Sequence, residues 1–150
     1  MAQGDFTWFN AAKHKLGLAV VNLETDTIKL GLITDAVTPT ASTADPCWGA
    51  GGTTNLSSSQ VTPGGNYASG GPTVANNTFT ESSGTVTFDG DAVSIAQNAS
   101  NPTDARWGIL YSDTATDKDA LGFLDLGGVT DLSAGGFSAT PNAAGIMTLA

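Results

Sequence analysis

Apolar residues recur at every second position in short runs along this chain, and a polypeptide patterned that way is committed to strands. Across 26–34, Ile28, Leu30 and Leu32 fall on one face while Lys29 and Gly31 fall on the other. Across 84–89, Val86 and Phe88 oppose the threonines. Across 106–112, Trp107, Ile109 and Tyr111 share one face, and Gly108 and Leu110 share the opposite one. The stretches 121–126 and 145–149 read the same way, with shorter runs at 74–79 and 93–96. Gly, Asn, Asp and Pro turns divide them. Short strands punctuated like this predict a mainly β chain, arranged as an antiparallel β-sandwich or jelly-roll-like domain.

Two regions break the period. At the front, Phe6, Phe9 and the Leu16 region recur at helical spacing, with Asp5 placed to cap the start and Gly17 to end it. The spacing predicts a short helix over 6–16, with Trp8 packing it onto the sheet, so that 1–17 forms an N-terminal helical arm. From 37 to 71 the chain is rich in Thr, Ser, Gly and Pro, and Cys47-Trp48 is its only bulky pair before Leu56. A structureless stretch of that length reads as a long surface loop or arm. No linker divides the 150 residues and no repeat of fixed period is present, so the expectation is one β domain over 1–150.

Composition removes several classes of function. Five Lys and Arg against fourteen Asp and Glu leave a net charge of −9, which opposes phosphate backbones and anionic lipid. Neither a nucleic-acid nor a membrane partner is expected. No run approaches the roughly 18–20 apolar residues of a membrane span, and the opening residues lack the apolar core of a signal peptide. Hydrophobic residues at 40% suffice for a core, whereas charged residues are only 13%, leaving a surface of Ser, Thr, Asn and Gly. One cysteine, Cys47, and one histidine, His14, supply neither an internal disulfide nor a four-ligand zinc site. That pattern points to synthesis in the cytosol.

Catalytic signatures are missing as well. There is no phosphate-cradling Gly-Lys-Ser/Thr loop, no GxGxxG, no HExxH and no GxSxG. His14 lies between Lys13 and Lys15 and reads as a solvated helix residue. Asp89 with Asp91, and Asp113 with Asp117 and Asp119, could gather oxygens around a hard cation. Neither run follows the twelve-residue calcium loop, Lys118 interrupts the second, and turn formation by aspartate accounts for both. No catalytic, cofactor-binding or metal-ligating residue is therefore assigned. The candidate contacts are aromatic. Trp107 alternates with core residues, which leaves Trp8 and Phe9 on the arm, Trp48 in the loop, and Tyr67 near the loop's end as partner-binding residues.

The order of segments resembles a known group. FTWFNAAKHKLG opens the chain, followed by DTIKLGLITDA, GNYASGG, TVTFDGDAVSIA, RWGILYSDT and LGFLDLGG, and FSATPNAAGIMTLA closes it. This pattern, over nearly the whole chain, resembles that of small virion proteins of tailed bacteriophages. The nearest functional comparison is with head decoration, or cement, proteins. The segment 46–59, PCWGAGGTTNLSSS, departs from the group by having more Gly and less charge. The resemblance implies a non-enzymatic structural protein, a β-sandwich or jelly roll, often a trimer. It would clamp joints between major capsid protein subunits on the outer surface of the head, after synthesis in the host cytoplasm, without a cofactor. Two alternatives remain open at this point. One is a tail, fibre or adaptor component of the virion; the other is a carbohydrate-binding module stacking sugars on Trp48 and Tyr67.

Overall fold

The structure is a computed structural model that describes residues 4–150. Its centre is a four-stranded antiparallel sheet in the order β1 (Phe6–Trp8), β9 (Ala120–Thr130), β8 (Ala105–Ser112), β2 (Ile28–Ile33). The runs that alternate most cleanly in the sequence occupy its middle. Leu30 pairs with Leu110, Gly31 with Ile109, and Ile109 in turn with Phe123 on β9. Both faces of β8 are covered, because Trp107, Ile109 and Tyr111 on one side and Leu110 on the other are all buried.

Different layers cover the two faces. Ile28, Leu30, Leu32, Leu110 and Leu124 share one face of the central sheet, and a second, three-stranded sheet runs β11 (Met147–Leu149), β6 (Thr85–Asp89), β5 (Thr78–Ser82). There the thioether of Met147 sits so close to Gly122 that a Cβ at this position would overlap it. The β5–β6 connection is a two-residue hairpin turn in which Ser83 and Gly84 both take positive φ, the twist that such turns require. On the other face Trp48 and Phe9 supply the cover. Two smaller pairs complete the molecule. β10 (Phe137–Ala139) is antiparallel to β7 (Val93–Ile95), and β3 (Pro46–Cys47) is parallel to β4 (Thr54–Asn55). The chain is mainly β, with one short α-helix among the described residues.

The front of the chain differs from the helical expectation over 6–16. Phe6 to Trp8 form an edge strand on β9, with Phe6 opposite Leu124 and Trp8 opposite Gly122. The helix α1 (Asn10–Gly17) begins only after it. Phe6 and Phe9 meet helical spacing, but the Phe6-Thr7-Trp8 alternation prevails because β9 offers an edge on which to pair. Asp5 is not the cap; Phe9 takes that position without a side-chain bond. Nor does Gly17 provide the turn out of the helix. Val20 N–H bonds Lys15 O and Ala19 N–H bonds Leu16 O, which makes a Schellman motif with Ala19 in the left-handed position at φ 56°.

The expected arm is thus part of the body: Trp8, Phe9 and Ala12 are buried, and Trp8 Nε1 donates to Thr148 O. The 37–71 region is likewise built in rather than extended. It holds β3, β4 and a 3-10 helix (Leu56–Ser59) capped by the Asn55 side chain, and it buries Cys47, Trp48, Leu56, Val61 and Tyr67.

Candidate functional site

The four aromatic residues that the sequence singles out, Trp8, Phe9, Trp48 and Tyr67, are all core residues, which corrects the expectation that they stand free for a partner. Trp8 and Phe9 are held by strand pairing and by Phe123, 5.2 Å from the Phe9 ring centre. Trp48 is stacked on Tyr111 at 4.9 Å, nearly parallel, and lies against Gly31, where a Cβ would overlap the indole. Only 6% of Trp48 is exposed. The Tyr67 hydroxyl accepts from Leu32 N–H at 2.8 Å inside the core, and burial pushes its pKa up to about 12. Burial also raises the Tyr111 hydroxyl, which donates to Gly70 O at 2.9 Å. These hydroxyls tie the 60–71 segment to the central sheet.

An open cleft of about 380 Å³ lies beside Trp48, with Ser57, Gln60, Asp117 and Lys118 among its walls. It is polar, and Trp48 contributes little more than an edge. Stacking of a sugar ring needs an exposed aromatic face, and neither Trp48 nor Tyr67 provides one.

Next to the cleft, three distant segments bring titratable groups together. Lys15 comes from the last turn of α1, Asp45 from just before β3, Cys47 from β3, and Asp119 from the residue just before β9. Trp48 N–H bonds Lys118 O at 2.8 Å, which fixes the 45–48 segment against the 113–119 loop. The Lys15 ammonium contacts Asp119 Oδ1 and lies 2.5 Å from Asp45 Oδ1. Cys47 Sγ donates to the same Asp119 oxygen at 3.7 Å. Asp119 is 1% exposed, and its Oδ2 has no hydrogen-bond partner among the described residues.

The electrostatics follow from this enclosure. Burial works against the Lys15 ammonium, but the bonds to Asp119 and Asp45 outweigh it and hold the group above its ordinary value. Burial pushes the Cys47 thiol up to about 12, with Lys15 opposing that rise and the two carboxylates adding to it. A thiol and two carboxylates this close could serve a divalent transition ion. Lys15, however, bonds both carboxylates and neutralises much of their charge. The thiol lies against Gly52, where any side chain would collide with the sulfur.

The acidic run 113–119 does not act as one group. Asp113 faces Lys118, at 2.6 Å, and Lys29, at 3.0 Å, and these contacts hold its carboxyl below the ordinary range. Asp117 is exposed on the cleft wall, and Asp119 turns inward. Asp89 and Asp91 serve turns: Asp89 accepts from Gly90 N–H, and Asp91 from the Asn76 amide at 2.7 Å. His14 is exposed.

Sequence reasoning missed the Lys15–Asp45–Cys47–Asp119 cluster. Its members are far apart in the chain, and no local spacing marks them. The one available signal was a cationic residue near the end of a helix with a carboxylate-rich loop elsewhere. No protein family, curated protein or solved structure matches the chain.

Proposed function

We propose that the chain is a non-enzymatic structural component of a tailed-phage virion, a head decoration protein. In this reading it sits on the outer surface of the shell at joints between major capsid protein subunits, as a homo-oligomer of the trimeric kind. The observation that carries the reading is the ordered resemblance running from FTWFNAAKHKLG to FSATPNAAGIMTLA. The net charge of −9 supports a position away from packaged DNA. The contact of Met147, on the three-stranded sheet, with Gly122 of the central sheet supports a sandwich-like arrangement.

With the aromatic candidates internal, the shell contact moves to exposed aliphatic residues. Leu18 and Val20, 60% and 47% exposed, flank the left-handed Ala19 at the end of α1 and project an apolar shoulder. Val129, 59% exposed, sits on the outlying part of β9. Such residues gain from burial against a neighbour, about 25 cal/mol per Å² of apolar area removed from water. Repetition over a shell raises the effective affinity further.

Electron microscopy of the parent particle with antibody against this chain tests the placement. Regular label over the head supports decoration; label on the tail or its tip moves the assignment to a tail, fibre or adaptor component. The double variant Leu18→Ser, Val20→Ser should lower head occupancy at least several-fold while leaving the unfolding midpoint of the free protein nearly unchanged. Full occupancy would remove the shoulder from the contact.

A further inference from the structure

We propose that Lys15 and Asp119 condense into an intramolecular isopeptide bond, with Asp45 carrying the proton between them. The proposal goes beyond the virion reading and does not depend on it. Three features of the cluster support it.

The first is convergence. The Lys15 nitrogen already touches Asp119 Oδ1, so the amine and the carboxyl carbon need no further search, and Asp45 Oδ1 stands 2.5 Å from the same nitrogen. Holding reacting groups at this range is worth roughly 10⁵–10⁸ M in effective concentration. The second is enclosure. Lys15 is 19% exposed and Asp119 1% exposed, which limits the water that could compete or hydrolyse the product. The third is the oxygen with no partner among the described residues. A buried carboxylate with Oδ2 left without a donor is costly, and an amide in its place removes two buried charges at once.

The step balances without an added reagent. Asp45 carboxylate relays one proton from the Lys15 ammonium to Asp119 Oδ1, which leaves a neutral amine beside a neutral carboxylic acid. The freed amine lone pair forms the Nζ–Cγ bond to Asp119, giving a tetrahedral centre. Asp45 then passes a second proton from the nitrogen to Oδ1, and the Cγ–Oδ1 bond breaks to release water. One ammonium and one carboxylate become one secondary amide and one water, and Asp45 ends as it began. Cys47 Sγ, 3.7 Å from Oδ1 and held as the neutral thiol, is a donor to the oxygen that leaves. Asp119 Oδ2 remains as the amide carbonyl. The bond would fasten the end of α1 to the start of β9.

Intact-mass spectrometry of the denatured full-length protein tests this directly. The expected mass is lower than that of the sequence by one water, and proteolysis should give a branched peptide joining the fragments around Lys15 and Asp119. The full mass after prolonged incubation of the folded protein, with only linear peptides, would overturn the proposal. So would a water loss that maps to a cyclic imide at Asp89-Gly90. Lys15→Arg should return the full mass. Asp45→Ala keeps both reacting groups and should slow condensation by roughly 100-fold or more, the usual scale for a positioned acid–base group. An Asp45→Ala protein that condenses as fast as the parent would refute the proton-carrying role. Because the unaltered protein is itself decisive, the test survives a variant that fails to fold.

Discussion

The 113–119 loop carries a lysine–aspartate cluster at each end, built from the same side chains in opposite proportion. At its far end one lysine, Lys15, serves two carboxylates, Asp45 and Asp119. At its near end one carboxylate, Asp113, is held by two lysines, Lys29 and Lys118. Asp119 is 1% exposed, whereas the Asp113 side chain is 24% and Lys118 47% exposed. Water can replace either lysine at Asp113, whereas the buried Asp119 is poorly placed to be solvated in place of Lys15. Charge arrangement alone does not separate a structural cluster from a solvated one; enclosure does.

Removing Lys15 is the sharpest way to test that difference. Lys15→Met strands the buried Asp119 beside the partly exposed Asp45 and removes every link, ionic or covalent, between the end of α1 and Asp119. It should cost about 3–5 kcal/mol in denaturant unfolding, the range for a buried pair robbed of one partner. A loss under about 1 kcal/mol would place this cluster in the same class as the exposed one.

A smaller effect is expected one layer away. Gly31→Ala pushes a methyl into the Trp48 ring and should cost about 1–3 kcal/mol. Because Trp48 follows Cys47 directly, the displacement should also expose the thiol. Cys47, buried and raised to about 12, should be silent toward a thiol reagent at neutral pH in the parent and reactive in the variant. Equal silence in both would mean that the Trp48 contact does not shelter the cluster.

Asp113→Asn should have the smallest effect, about 1 kcal/mol or less. Its sign with pH is fixed. The Asp113 carboxyl is lowered in the folded state from 3.8, chiefly by its bond to Lys118, against burial, with Lys29 adding to the lowering. Its contribution is therefore fully present above that value and lost as pH falls through the lower folded one. Parent and variant should differ in unfolding free energy at pH 6 and converge in strong acid. A gap that widens on acidification would contradict the assignment.

How far the fold could be read in advance follows the same division between local and distant. β2, β6 and β8 were legible because Ile28-Leu30-Leu32, Val86-Phe88 and Trp107-Ile109-Tyr111 alternate within single runs. Alternation placed Gly31 opposite the apolar face of β2 but did not show its cover, because Trp48 comes from a segment that composition marked as loop. Gly52 and Gly71, inside the region that composition marked as loop, are close-approach positions, against the Cys47 sulfur and the Leu30 carbonyl. β10 carries only Phe137 and Ala139 as inward residues and gave no visible period. The candidate site was not legible. Asp113, Asp117 and Asp119 look alike in the sequence, and only the turn at Lys118, with φ 53°, and the strand that follows send Asp119 inward.

The position of β1 bears on how the molecule comes into being. Trp8 lies opposite Gly122 and its indole N–H donates to Thr148 O, so β1 finds its partners more than a hundred residues further along the chain. Phe6, Trp8 and Phe9 keep their apolar surfaces uncovered until β9 and β11 have been made. Pairing so remote in sequence makes folding a matter of milliseconds to seconds rather than microseconds. During that interval the uncovered apolar surface of β1 is open to the association that chaperones suppress.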